Sequence, residues 1–183
     1  VLAAARTWLR GTDAQRPVFA FVHLFDPHSP YEKPAPGEIE PSYAGEVAFV
    51  DRSLAGFLAD LRAEARWRDL VTVVTSDHGE GLGDHGEATH CIFIYQSTMH
   101  VPLIVHAPAR LRPRAVESVV GLVDLMPTLA EVAGVASPSG LDGRSLGPAL
   151  AGKDLAPRDY VLESMFGYLN FGWAPLRGLR AQE

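Results

Sequence analysis

The sequence predicts an α/β fold, layered α/β/α around a largely parallel central sheet. Two observations carry this expectation. Short, nearly continuous apolar runs of strand length, the pattern of strands buried on both faces, alternate with segments of helical periodicity. The residues richest in chemistry follow directly on those runs, where open parallel sheets place their ligands.

The opening Val1-Leu2-Ala3-Ala4-Ala5 is broken at once by Arg6 and Arg10, which reads as a helix end and not as a signal peptide. Residues 17–25, nearly all apolar, are the first expected strand, and Pro27 and Pro30 force a loop after it. Residues 43–66 read as a long helix. Val47, Val50, Leu54, Phe57, Leu58 and Leu61 fall at helical spacing, with Glu46, Asp51, Arg52 and Asp60 mostly on other faces. Tyr43, Phe49 and Phe57 on that helix are expected in the core. Residues 70–75 form the second strand, 101–106 a third with Pro102 limiting its pairing, and 116–122 a fourth. Asp124 stands where it can cap a helix that runs to Ala133 and stops at Gly134. A loop over 138–143, a short helix over 146–150 and a strand over 160–163 complete the reading.

The 183 residues suffice for one sizeable core, and no apolar stretch reaches the roughly 20 residues of a membrane-spanning helix. A net charge of −6 with both signs interspersed argues against a nucleic-acid partner. The basic residues are almost all arginine, Lys33 and Lys153 being the only lysines. The single cysteine, Cys91, excludes an internal disulfide and a thiolate metal cage. The absence of an initiating Met points to a fragment or a processed product.

The densest chemistry lies in Ser76-Asp77-His78-Gly79-Glu80-Gly81-Leu82-Gly83-Asp84-His85-Gly86-Glu87-Ala88-Thr89-His90. An Asp-His pair at the end of a buried strand can offer one carboxylate oxygen and one imidazole nitrogen to a cation. Gly79, Gly81 and Gly83 allow tight turns and close approach of a ligand. Five of the seven histidines, His78, His85, His90, His100 and His106, lie in this loop or in the strand after it. Solvated histidines on a glycine-rich surface loop are the plain alternative; placement directly after a buried strand favours a functional site.

Four ordered motifs resemble the sulfatase family of the alkaline phosphatase superfamily. They are Asp26-Pro27-His28-Ser29-Pro30-Tyr31, then Ser76-Asp77-His78-Gly79-Glu80 with Gly83-Asp84-His85-Gly86, then Val101-Pro102-Leu103-Ile104-Val105, then Val123-Asp124-Leu125-Met126-Pro127-Thr128-Leu129 with Leu141-Asp142-Gly143-Arg144-Ser145-Leu146 after it. The resemblance covers most of the chain from His23 to Leu150 and implies an alkaline-phosphatase-like but incomplete fold. Residues 1–183 would be a single partial domain, the C-terminal portion of the catalytic domain. It implies Asp77 and His78 as metal ligands and His28 as a contact to the sulfate or phosphate group or an aid to the leaving group. His90 stands near the place of the family's anion-binding lysine, and His85 is as readily structural as catalytic. The cation would be Ca²⁺, or Mn²⁺ or Zn²⁺ in a phosphoryl branch, to which imidazoles suit better. Cys91 lacks the Cys-x-Pro-x-Arg surroundings of a formylglycine precursor and is read as a small packing residue, so the formylglycine nucleophile is expected outside this chain. Arg144 is read as half of an ion pair at a buried edge.

The expected function is therefore metal-dependent hydrolysis of sulfate esters by the parent protein, the fragment alone being inactive and a weak metal binder. A phosphodiesterase, phosphonate monoester hydrolase or phosphoglycerol transferase of the same superfamily is the alternative, and a non-catalytic binding domain a third. Expected partners are small-molecule or saccharide sulfate or phosphate esters, with self-association through exposed sheet edges. By resemblance the parent is periplasmic or otherwise extracytoplasmic.

Overall fold

A computed structural model describes residues 1–35, 37–38 and 40–181. The chain divides into two compact units, Val1–Leu70 and Val71–Glu183.

In the first unit, helix α1 spans Leu2–Gly11 and helix α2 spans Tyr43–Arg62. Helix α2 starts where Ser42, in extended conformation, accepts the Gly45 N–H on its side chain, an N-cap that satisfies one of the helix's orphan donors. Leu54, Phe57, Leu58 and Leu61 form its inward stripe and meet Leu9 of α1 and Trp67, which lies on a 3₁₀ turn, Ala65–Trp67. The helix therefore ends four residues before the expected 66 and passes into that turn. Two positions contradict the expected core. Val47 and Phe49 are exposed, whereas Glu46 is buried. The count explains it: 46, 50, 54, 57 and 61 advance by fours and threes, so Glu46 continues the buried stripe to the helix N-terminus.

The strand expected at 17–25 does not form a ladder with any described residue. Val18, Val22 and Leu24 are half-buried while Phe19, Phe21 and Phe25 are exposed, so the segment keeps strand-like alternation without a hydrogen-bonded neighbour. Apolar composition favours an extended, buried segment, but only a paired backbone makes a strand.

In the second unit, β1 (Thr72–Thr75) pairs antiparallel with β2 (Leu103–His106), Thr75 opposite Leu103 and Thr72 opposite His106. Between them lies the His-rich loop and a short helix, α3 (Gln96–Met99). Helix α4 spans Leu125–Ala133 and stops at Gly134 as expected; α5 spans Gly147–Leu150. Strand β3 (Tyr160–Ser164) pairs antiparallel with β4 (Leu176–Arg180), with α6 (Phe166–Phe171) between them. Mixed helix and strand agrees with the expected α/β class. Both ladders among the described residues are antiparallel, however, in place of the parallel pairing expected. The loop after β1 returns the chain to the end where β1 finished, and a parallel neighbour would instead need a crossover to its start. The strand expected at 116–122 is absent among the described residues; the chain there is irregular and enters a 3₁₀ turn, Leu122–Asp124.

Asp124 is fully buried, but it does not cap α4 with its side chain. Its carboxylate accepts N–H bonds from Gly121 at 3.1 Å and Arg144 at 2.8 Å, and the Tyr160 hydroxyl. Arg158, not Arg144, brings its guanidinium within 3.8 Å of that carboxylate. Thr128 continues the network, donating to the Asp124 carbonyl at 2.6 Å and accepting the Leu146 N–H at 2.9 Å. Leu146, Ala149 and Leu155 form the small core beside it. No helix among the described residues is long and apolar enough to cross a membrane.

Leu61 is 1% exposed at the centre of the first core. Leu61→Ala is expected to cost about 2–5 kcal/mol, since the cavity it leaves adds to the lost transfer energy. Chemical denaturation of the two proteins measures this directly.

Candidate active-site histidines and their anchors

Each candidate histidine sits on a loop, where a side chain keeps one orientation only if something other than a ladder holds it. In the first unit, the loop 26–34 carries His28. The imidazole Nδ1 lies 2.6 Å from the Ser29 carbonyl, which only accepts, so Nδ1 is the donor in that bond. The ring stacks on Phe25, centroids 4.3 Å apart. Glu46 of α2 accepts the His28 N–H at 3.0 Å and the Glu32 N–H at 2.9 Å, and Lys33 reaches both Glu46 and Asp26. Burial pushes the Glu46 carboxyl up, but the amides of Glu32 and His28 and the Lys33 ammonium outweigh it, leaving the group below its ordinary value. Lys33 is held above its own ordinary value, burial being outweighed by Asp26 and Glu46.

In the second unit, β1 delivers Asp77 and His78 to the start of the His-rich loop. The loop is bound to itself: the N–H of Gly81 donates to the Thr89 carbonyl at 2.6 Å and that of Gly83 to Glu87 at 2.8 Å. A Cβ on Gly81 would overlap the Glu87 carbonyl, so glycine is required for that approach. Buried Glu87 accepts the N–H groups of Ile92 at 2.7 Å and Phe93 at 3.1 Å. The fold that results brings His78 and His90 together, rings stacked with centroids 3.9 Å apart. His78 Nδ1 lies 2.8 Å from the Gly79 carbonyl, and His90 Nδ1 lies 3.3 Å from the buried Glu80 carboxylate.

Asp77 Oδ1 and His78 Nε2 are 3.8 Å apart, and the Asp77 side chain is 76% exposed. Two donors each about 2.3 Å from a common ion would subtend roughly 110° at that spacing, so the pair fits part of a divalent cation's shell. Among the described residues no group of three or more His, Cys, Asp or Glu side chains is arranged to hold a metal. Burial tends to raise the Asp77 carboxyl, but His78, neighbouring backbone amides and Ser76 bring it below its ordinary value.

His85 has different partners. It stacks on Tyr95 at 3.7 Å, and its Nδ1 lies 3.0 Å from Asp84, whose carboxyl is lowered first by His85 and then by Ser97. His78 and His90 line a cleft of about 390 Å³, walled by Phe93, Met99, Phe166 and Leu169. Cys91, expected to pack, is exposed at φ 92°, because the backbone turns outward between His90 and the Glu87-held amides. Desolvation and the charges of Glu87 and Glu80 push its thiol up, which keeps it protonated and a poor nucleophile. The sequence reading assigned no role to Glu46, Glu80 or Glu87. Glu46 could have been found as a carboxylate at the end of an apolar helical stripe; Glu87 has no comparable signal.

The sequence profile of the Sulfatase family matches residues 1–135. Arylsulfatase K of Bos taurus is 32% identical over 136 residues, covering 70% of this chain and 25% of that protein. An N-acetylglucosamine-6-O-sulfatase of Bacteroides thetaiotaomicron is 30% identical over 130 residues, covering 70% of this chain and 23% of that protein. The solved structure of a phosphonate monoester hydrolase from Silicibacter pomeroyi superposes with a TM-score of 0.64 at 29% identity, over 78% of this chain and 33% of that one. The chain thus spans about a quarter of the length of the curated relatives it matches.

The depressed Glu46 carboxyl fixes a pH dependence. A group lowered in the folded state stabilises above its ordinary value, 4.5 for glutamate, and that contribution is lost as pH falls through the lower, folded value. The His28 and Glu32 amides are therefore expected to stay protected from exchange down to pH 4.5 and to lose protection only below it. Amide exchange followed by NMR across that range is the check.

Proposed function

Because the chain belongs to the sulfatase family, we propose that it supplies the Asp77–His78 metal ligands and the anion-facing histidines of a hydrolase acting on sulfate esters. The observation that carries the reading is the stacked His78–His90 pair beside Asp77, with an acceptor on Nδ1 of each ring. A metal-binding histidine commonly donates its other ring N–H to an oxygen, which fixes the tautomer and aims the ligand nitrogen, and His78 has that arrangement. A divalent cation, when bound, supplies charge to neutralise the oxygens of the ester's anionic group.

The chain's own residues then divide the remaining work. Asp77 and His78 would hold the cation. His90, kept in register by Glu80, would face the sulfate oxygens. His28 would take a proton from solvent and deliver it, as a general acid, to the departing alkoxide. His85 takes no part in this scheme, its ring being occupied by Tyr95 and Asp84. The formylglycine nucleophile would come from outside these 183 residues, which contain no Cys-x-Pro-x-Arg. The resemblance favours Ca²⁺.

A phosphonate or phosphate ester is the second reading, favoured by the likeness to a phosphonate monoester hydrolase and by imidazole's preference for Mn²⁺ or Zn²⁺. In the whole protein, Asp77→Ala and His78→Ala are each expected to lower turnover of 4-nitrophenyl sulfate at least about 100-fold with helix content unchanged by circular dichroism. Turnover of 4-nitrophenyl phenylphosphonate exceeding that of the sulfate would transfer the assignment to the phosphoryl branch. No turnover of either ester, with thermal stability indifferent to EDTA, would favour a binding domain that has kept the fold.

A further inference from the structure

Glu46 is buried to 1% exposure, carries a charge, and takes no part in the chemistry above. A buried carboxylate is costly unless its oxygens are filled, and among the described residues they are filled from the loop that bears His28. Oε2 accepts the His28 N–H at 3.0 Å. Oε1 accepts the Glu32 N–H at 2.9 Å and lies 3.5 Å from Lys33 Nζ. The same loop touches the helix start twice more. The Ser42 N–H donates to the Lys33 carbonyl at 3.0 Å, and a Cβ on Gly45 would overlap that carbonyl oxygen. Glu46 also stands in the first turn of α2, where the helix dipole favours an anion.

We propose that Glu46 is a positioning residue for His28: its carboxylate clamps the His28 and Glu32 amides and so sets the place of the imidazole. The role rests on the reading of His28 as a group that acts on the ester. A carboxylate suits the clamp because it only accepts, and both amides and the ammonium only donate. Glutamine would turn an N–H₂ group toward one of those donors. Its depressed carboxyl keeps Glu46 ionised at neutral pH, as the clamp requires.

The test is a double-mutant cycle on turnover of 4-nitrophenyl sulfate by the whole protein. Glu46→Gln is expected to lower kcat about tenfold with KM changed less than about twofold, since a displaced acid–base group weakens the transition state more than substrate binding. Glu46→Asp, which keeps the charge, is expected to recover most of that loss. In a His28→Ala background, Glu46→Gln is expected to have no further effect. An equal tenfold loss on top of His28→Ala would make Glu46 merely structural and overturn the inference, as would unchanged kcat in Glu46→Gln alone. If Glu46→Gln does not fold, the same cycle is run with Glu46→Asp, whose shorter side chain should lower kcat a few-fold in the parent background and not at all with His28→Ala. If His28→Ala itself leaves turnover intact, the reading of His28 falls first and takes this inference with it.

Discussion

Buried carboxylates that accept loop amides hold the irregular segments of this chain in place, those of the candidate histidines among them. The loops bearing His28 and His90 lie outside any ladder, yet their N–H groups need acceptors. Glu46 takes those of His28 and Glu32, Glu87 takes those of Ile92 and Phe93, and Asp124 takes those of Gly121 and Arg144. Desolvation opposes each arrangement, and charge-assisted hydrogen bonds offset it. For Glu46 the direction of the balance is visible, because the carboxyl is lowered despite burial. Removing any of the three would strand two donors at once, which is why the acid and not its amide is the fitting residue.

The histidines share a second constraint. His28, His78, His85 and His90 each place Nδ1 against an oxygen, from Ser29, Gly79, Asp84 and Glu80 respectively. In each case that contact fixes the orientation of the ring. What separates them is company. His78 and His90 stack on each other beside Asp77, whereas His85 is sandwiched with Tyr95. In the proposed reading, the choice between sulfate and phosphoryl esters turns on the cation and nucleophile more than on these rings.

Much of the fold was legible in the sequence because local pattern decides it. The periodicity of α2, the glycine stop of α4, and the apolar runs of β1 and β2 all depend on residues within a few positions. Residues 17–25 and 116–122 were misread because strand character needs a partner backbone, and apolar composition does not say whether one is present. Asp77, His78 and His90 were proposed from motif order, and the structure adds the stacking that joins His78 and His90, twelve positions apart. Glu87 escaped notice because its two partners lie in a loop whose path no periodicity describes. Cys91 was taken as packing from its size, while its left-handed backbone turns it outward.

Everything proposed for the site depends on Asp77 and His78 forming its metal-binding half. Paramagnetic broadening by sub-stoichiometric Mn²⁺ in ¹H–¹⁵N spectra tests it most directly, because it reports which residues lie near even a weakly held ion. The Asp77, His78 and Gly79 amides are expected to broaden first, and the effect to vanish in Asp77→Ala. Broadening centred on Asp84 and His85, or spread evenly over the acidic surface, would contradict it.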